Sequence, residues 1–389
     1  MTVVGEAPGA WRGRAADAYA GWAAAEARLV REVESALRRA EAEIASGGAD
    51  LADRLAVIDL PLAVPLGAPP TPVTGARPRS AATRDAENRA RLAGDLRRLR
   101  GRPLTAGERR ELARAEAIDA RLRALDGAVD PVTGARVPVL LHEYEPRAFR
   151  GDGIVVVAIG DLDAAENVGV LVPGMGTTAG SVGAVTGDAL RLYEAARRAD
   201  PGRSTATLAW IGYDAPSGGA AVARVITRDA ADRGAAQLRE DLADIAALRA
   251  GSDPRIVLFG HSYGAVTAAT AGAGGALVGT VDAMVLLGSP GAGPVRSAAE
   301  LGLPVYVARD SDDPVPAAAG TDPAARGLRR FGIEVGLGTD PAAPSFGATP
   351  IDAEGPTGPG AGAHSGYYRP GSPALDAFAR ILTGGGGGR

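Results

Sequence analysis

Apolar positions recur with two different periods along this chain. From about Gly13 to Ser46, Leu29, Val33 and Leu37 stand at helical spacing in an Ala-rich, charged stretch, which predicts one long amphipathic helix ended by Gly47 and Gly48. A Pro-rich run over about 61–79 cannot continue a helix and reads as a linker. Two more helices are expected, one over Ser80 to Leu99 and one opened by the capping-box pair Thr105 and Glu108 and closed by Gly127.

At Val137 the period shortens. Val137 to Leu141, Ile154 to Ile159, Val168 to Val172, Thr205 to Ile211, Arg255 to Phe259, Val281 to Leu287 and Pro304 to Ala308 are short aliphatic runs bounded by Gly, Pro or Asp, the pattern of buried strands. Helical patterns separate the later ones, over Val182 to Arg197, Ala235 to Arg249 and Ala265 to Ala273, and Ala374 to Leu382 suits a closing helix. Strand and helix in alternation predict an α/β fold with a mainly parallel sheet flanked by helices. The expected organisation is a helical N-terminal region over 1–128, an α/β domain over 129–383 and a disordered glycine tail over 384–389.

Composition narrows the chemistry. At 389 residues the chain can bury a substantial core, and with aromatics at 4% that core must be built mainly from Val, Leu, Ile and Ala. A net charge of -4 offers no basic surface to neutralise phosphates, so a small or neutral substrate is expected and a nucleic-acid partner is not. The absence of Cys excludes disulfides and thiolate nucleophiles, and His142, His261 and His364 show no metal-ligand spacing, so neither metal nor cofactor is expected. No stretch approaches the roughly 20 apolar residues of a membrane span and no signal peptide is visible. A cytoplasmic location is therefore expected, with signal-less export left open.

Gly260-His261-Ser262-Tyr263-Gly264 follows the predicted strand RIVLF and precedes a helix of small residues. A nucleophilic Ser requires that context, because a sharp strand-to-helix turn lifts its hydroxyl above the sheet. In this arrangement the base and its orienting acid follow the nucleophile in the chain, and His364 is the one histidine after Ser262. The acid should stand just past the strand containing Val305 and Val307, where Asp310, Asp312 and Asp313 all lie. Asp313 is preferred because Pro314 helps fix the turn that presents it, with Asp312 as the runner-up. Pro173-Gly174-Met175-Gly176-Thr177-Thr178 follows another strand and suits an oxyanion loop, in which the N–H of Met175 joins that of Tyr263. A phosphate-binding loop is the competing reading, but no Lys exists to complete it. Trp210 to Pro216 either lines the acyl pocket or supports the site, or forms a structural turn anchored by an aromatic pair.

Taken together, the GMGTT loop, the GYDAP turn, the GHSYG elbow, the DDPV acid turn and the AHSGYY histidine loop resemble an actinobacterial α/β-hydrolase family described as a domain of unknown function, over about Val137 to Leu382. The resemblance implies the triad Ser262, Asp313 and His364 and supplies no settled substrate. Trp11-x-Gly13 followed by Ala15, Ala16 and Tyr19 is similar to the turn and second helix of WxG helical-hairpin proteins associated with type VII secretion. Only ten residues precede Trp11, and Ala23 stands where that family's export signal needs an acid. The expected activity is a serine hydrolase cleaving an ester, thioester or amide through an acyl-enzyme. Acyl transfer by the same triad is one alternative. The other is a catalytically silent scaffold that binds a protein partner or serves secretion, with the N-terminal helices as the contact surface.

Overall fold

All seven expected strands form, and an eighth joins them in one sheet ordered β1-β2-β4-β3-β5-β6-β7-β8. The computed structural model describes residues 79–217, 228–249, 252–317, 337–355 and 361–385. The strands are β1 (Val139–Glu145), β2 (Ile154–Ile159), β3 (Asn167–Val172), β4 (Thr205–Ile211), β5 (Arg255–His261), β6 (Ala283–Leu287), β7 (Val305–Ala308) and β8 (Thr349–Ile351). β2 runs antiparallel to both β1 and β4, and every other pairing is parallel. This is the α/β-hydrolase fold. The helix predicted over 13–46, the Trp11 segment, the linker before residue 79 and residues 386–389 lie outside the described residues.

The central strands β3, β4, β5 and β6 are buried on both faces, which is why their sequences read as continuous apolar runs. On one face Leu171, Phe259 and Leu287 pack with Leu192 of α3 (Val182–Ala199) and Phe378 of α8 (Pro373–Leu382). On the other, Val170, Leu258 and Leu286 meet Leu238 of α4 (Asp229–Leu248) and Val266 of α5 (Tyr263–Gly272). Fully burying a side chain such as Phe259 or Leu258 contributes roughly 1.5–3 kcal/mol each. Every residue of α5 is buried, and its Ala, Gly and Thr content lets it lie close against the sheet and α4.

The helices α1 (Ala81–Leu99) and α2 (Ala106–Leu125) share the α3-side core, through Leu92, Leu96, Ile118 and Leu122. The capping box at Thr105 and Glu108 forms as the sequence predicts. The turn after α2 is tied to α3 by Asp130, whose Oδ2 accepts from Arg197 Nε at 2.7 Å and from the Tyr193 hydroxyl at 2.8 Å.

Boundaries differ from expectation where polarity interrupts a run. β1 was expected over Val137 to Leu141 but extends through His142, Glu143 and Glu145, with a register shift between Leu141 and Glu143. It is an edge strand, and α1 supplies the partners its irregular backbone lacks. Asn88 Nδ2 donates to the carbonyls of Leu141 at 3.0 Å and His142 at 2.9 Å, while Asp85 Oδ1 accepts the Leu141 N–H. β8 escaped prediction because it is three residues long and contains Pro350. α4 starts at Asp229 instead of Ala235, its first turn carrying Asp229 and Asp232 where acids favour the positive end of the helix.

Asn88→Ala leaves those two carbonyls without their buried donor. Urea unfolding is expected to show a stability loss of about 1–3 kcal/mol; a change indistinguishable from zero contradicts this role.

Candidate active site

β5 ends at His261, and the chain turns into α5 through Ser262. This serine has φ 55° and ψ -128°, a region that residues with a Cβ seldom enter. Its N–H donates to the Leu287 carbonyl at 2.9 Å, and its carbonyl accepts the Ala265 N–H at 2.9 Å. The strain, of order 1–3 kcal/mol, is imposed from both sides. A side chain at Gly264 would place its Cβ 2.3 Å from the Val172 carbonyl oxygen, so only glycine lets α5 start this close to β3.

Asp313 and His364 arrive from the far end of the sheet and meet. His364 Nδ1 lies 2.8 Å from Asp313 Oδ2 and 3.0 Å from Oδ1, with both side chains almost wholly buried. A carboxylate only accepts, so Nδ1 carries the proton and Nε2 is left as the basic nitrogen. Asp313 follows β7 and precedes the single turn α6 (Pro314–Ala317), and its Oδ1 accepts the Val315 N–H at 2.9 Å. Burial pushes the Asp313 carboxyl up, but hydrogen bonds from His364, Tyr367 and the Val315 N–H outweigh it and hold the group below its ordinary range. Of the other two acids expected as candidates, Asp310 accepts the Asp312 N–H and shapes the turn. His364 ends the short α7 (Ala361–His364).

The GMGTT loop lies against the serine. A Cβ on Gly174 would stand 2.6 Å from Ser262 Cβ and 3.1 Å from Ser262 Oγ. Two bonds from the WIGYDAP turn hold the loop there: the Tyr213 hydroxyl donates to the Pro173 carbonyl at 2.7 Å, and the Pro216 carbonyl accepts the Gly176 N–H at 2.8 Å. Trp210 stacks on Tyr213 with ring centroids 5.8 Å apart and donates to Asp241 at 2.6 Å. The turn is thus a brace for the loop. Met175 is half-buried, and Tyr263 sits buried in the first turn of α5, its hydroxyl accepting the Ala231 N–H at 3.3 Å.

Two residues at this site were not anticipated. The Tyr367 hydroxyl donates to Asp313 Oδ2 at 2.7 Å and accepts the Asp310 N–H at 3.3 Å. His261, in the elbow itself, lies 2.8 Å through Nε2 from the His364 carbonyl, with the two rings 4.7 Å apart. The tyrosine pair after His364 was visible in AHSGYY; nothing in the sequence marks His261 beyond its place in the elbow. His261 also lines, with Leu171, Met175, Val185, Phe259 and Tyr368, a cavity of about 30 Å³ beside the loop.

Residues 149–323 match a family described as Alpha/beta hydrolase. An uncharacterized protein of Mycobacterium tuberculosis is 38% identical over 261 residues, which are 64% of this chain and 39% of that protein. One of Mycobacterium bovis is 36% identical over 180 residues, 44% of this chain and 64% of that protein. The chain therefore spans 39% of the length of the first of these relatives. A hyperthermophilic esterase from the archaeon Pyrobaculum calidifontis aligns at 16% identity with a TM-score of 0.38, covering 77% of this chain and 96% of that one. A likeness at that level says nothing about substrate. Among the described residues no helix is long and apolar enough to cross a membrane.

A carboxyl with a depressed folded pKa binds protons more readily when the chain unfolds, so its contribution to stability is complete above the ordinary value near ~4 and is lost as pH falls through the lower folded value. Urea unfolding measured from pH 6 to pH 3 should therefore fall more steeply for the wild type than for Asp313→Asn. Parallel curves contradict the hydrogen-bonded carboxylate.

Proposed function

We propose that this protein is a serine hydrolase that cleaves small acyl esters through an acyl-enzyme, with Ser262 as nucleophile, His364 as base and Asp313 as its orienting acid. The observation that carries the reading is the buried contact of His364 Nδ1 with Asp313 beside a serine held in a strained strand-to-helix turn. Proton position on the imidazole leaves Nε2 to accept the Ser262 proton as Oγ attacks the carbonyl carbon. The negative charge then gathers on the carbonyl oxygen, where the N–H groups of Met175 and Tyr263 are the donors of this reading. Each such donor is worth about 3 kcal/mol of transition-state stabilisation.

Collapse of the tetrahedral intermediate breaks the bond to the alcohol, which leaves with the proton from His364. Water then adds to the acyl-enzyme with His364 again taking a proton, and the carboxylic acid is released as the Ser262 hydroxyl re-forms. Throughout, the Asp313 charge favours the imidazolium that forms in both steps. Tyr367 and the Val315 N–H keep that carboxylate ionised and in one orientation. An acetyl ester is the first substrate to test, because it asks least of the space around Ser262.

Ser262→Ala is expected to fold normally and to lower kcat for p-nitrophenyl acetate by at least about 10³-fold. Turnover equal to the wild type would remove Ser262 from the reaction.

A further inference from the structure

We infer that His261 is a positioning residue, whose Nε2–H donates to the His364 carbonyl and thereby locks the base loop to the nucleophile elbow. The inference rests on the proposed hydrolase reading and adds to it a residue that neither attacks nor transfers a proton.

The geometry leaves His261 one role in this bond. A carbonyl oxygen can only accept, so at 2.8 Å the Nε2 of His261 must carry the proton. Burial, and after it the neighbouring His364, press the His261 pKa down to about 3, so the ring stays neutral across the working range. Neutrality matters in this place. The groups that face the ring are His364 and Tyr367, whose rings lie 4.7 Å and 6.0 Å away, with Asp313 beyond them and Asp188 and Tyr368 across the small cavity. A second imidazolium beside His364 would oppose the charge that the base must take on in each step.

Position in the chain explains why such a lock is needed. His364 sits at the end of a four-residue turn, too short to hold its own backbone, while His261 is the last residue of β5, in register with Leu287 of β6. Ser262 is its covalent neighbour. The hydrogen bond therefore fixes the base relative to the nucleophile through one side chain and one carbonyl. The Asp313 contact orients the imidazole ring, and the His261 contact sets the backbone from which the ring projects. A displacement of about 1 Å in such a pair is enough to cost on the order of 100-fold in rate.

The test uses the full chain and two variants, with p-nitrophenyl acetate as the probe. His261→Phe keeps a flat ring and removes the donor; His261→Gln carries an N–H at nearly the same reach as Nε2. Expected is a fall of at least tenfold in kcat for His261→Phe with KM within about threefold of the wild type, and recovery to within about threefold in His261→Gln. A folded His261→Phe with wild-type kcat overturns the inference. So does a folded His261→Gln with kcat reduced tenfold or more, and this variant decides the matter if His261→Phe does not fold. Failure of the hydrolase reading itself looks different: the wild type then turns over no faster than Ser262→Ala.

Discussion

The structure depends on one backbone conformation, the left-handed turn at Ser262. A serine at φ 55° and ψ -128° is held there by the burial of β5 and α5 on either side of it and by its backbone hydrogen bonds to Leu287 and Ala265. Gly264 is part of the same constraint, because the Val172 carbonyl leaves no room for a Cβ. The strained turn is held between the buried strands β3, β5 and β6 and the small-residue helix α5. Core and site are therefore one object: the apolar runs that identify the strands also hold the serine in its conformation.

Around that turn the other groups are fixed by hydrogen bonds between segments far apart in the chain. Asp313 is held by His364, Tyr367 and the start of α6, the Gly174 loop by Tyr213 and Pro216, and the His364 backbone by His261. Each bond is worth about 1 kcal/mol net, more where a charge takes part. Their larger effect is geometric, because buried polar groups with satisfied partners have few alternative arrangements. The α1 and α2 helices extend the same principle to the far edge of the sheet, where Asn88 and Asp85 complete the irregular strand β1.

Much of this was legible in the sequence for reasons that can be named. Strands buried on both faces announce themselves as aliphatic runs, and β2 and β4 match their predicted bounds. Chain order and strand context restrict the candidates for nucleophile, acid and base to a few residues, and of those expected Asp313 and His364 meet in the structure. The preference for Asp313 over Asp312 rests on Pro314, and in the structure Asp313 accepts the first available N–H after that residue, which has none of its own. What could not be read depended on contacts across long separations. The extension of β1 through His142 and Glu143 needs side chains from α1, more than 50 residues earlier. His261 becomes meaningful only once the chain 103 residues later is brought beside it. That Trp210 to Pro216 holds the Gly174 loop likewise rests on two bonds across long separations.

The central claim is that the strained serine is a reactive nucleophile. Incubation of the full chain with a fluorophosphonate, followed by proteolysis and mass spectrometry, tests it most directly. The account predicts one stoichiometric adduct on the peptide containing Ser262. No adduct, or an adduct on another residue, would contradict it.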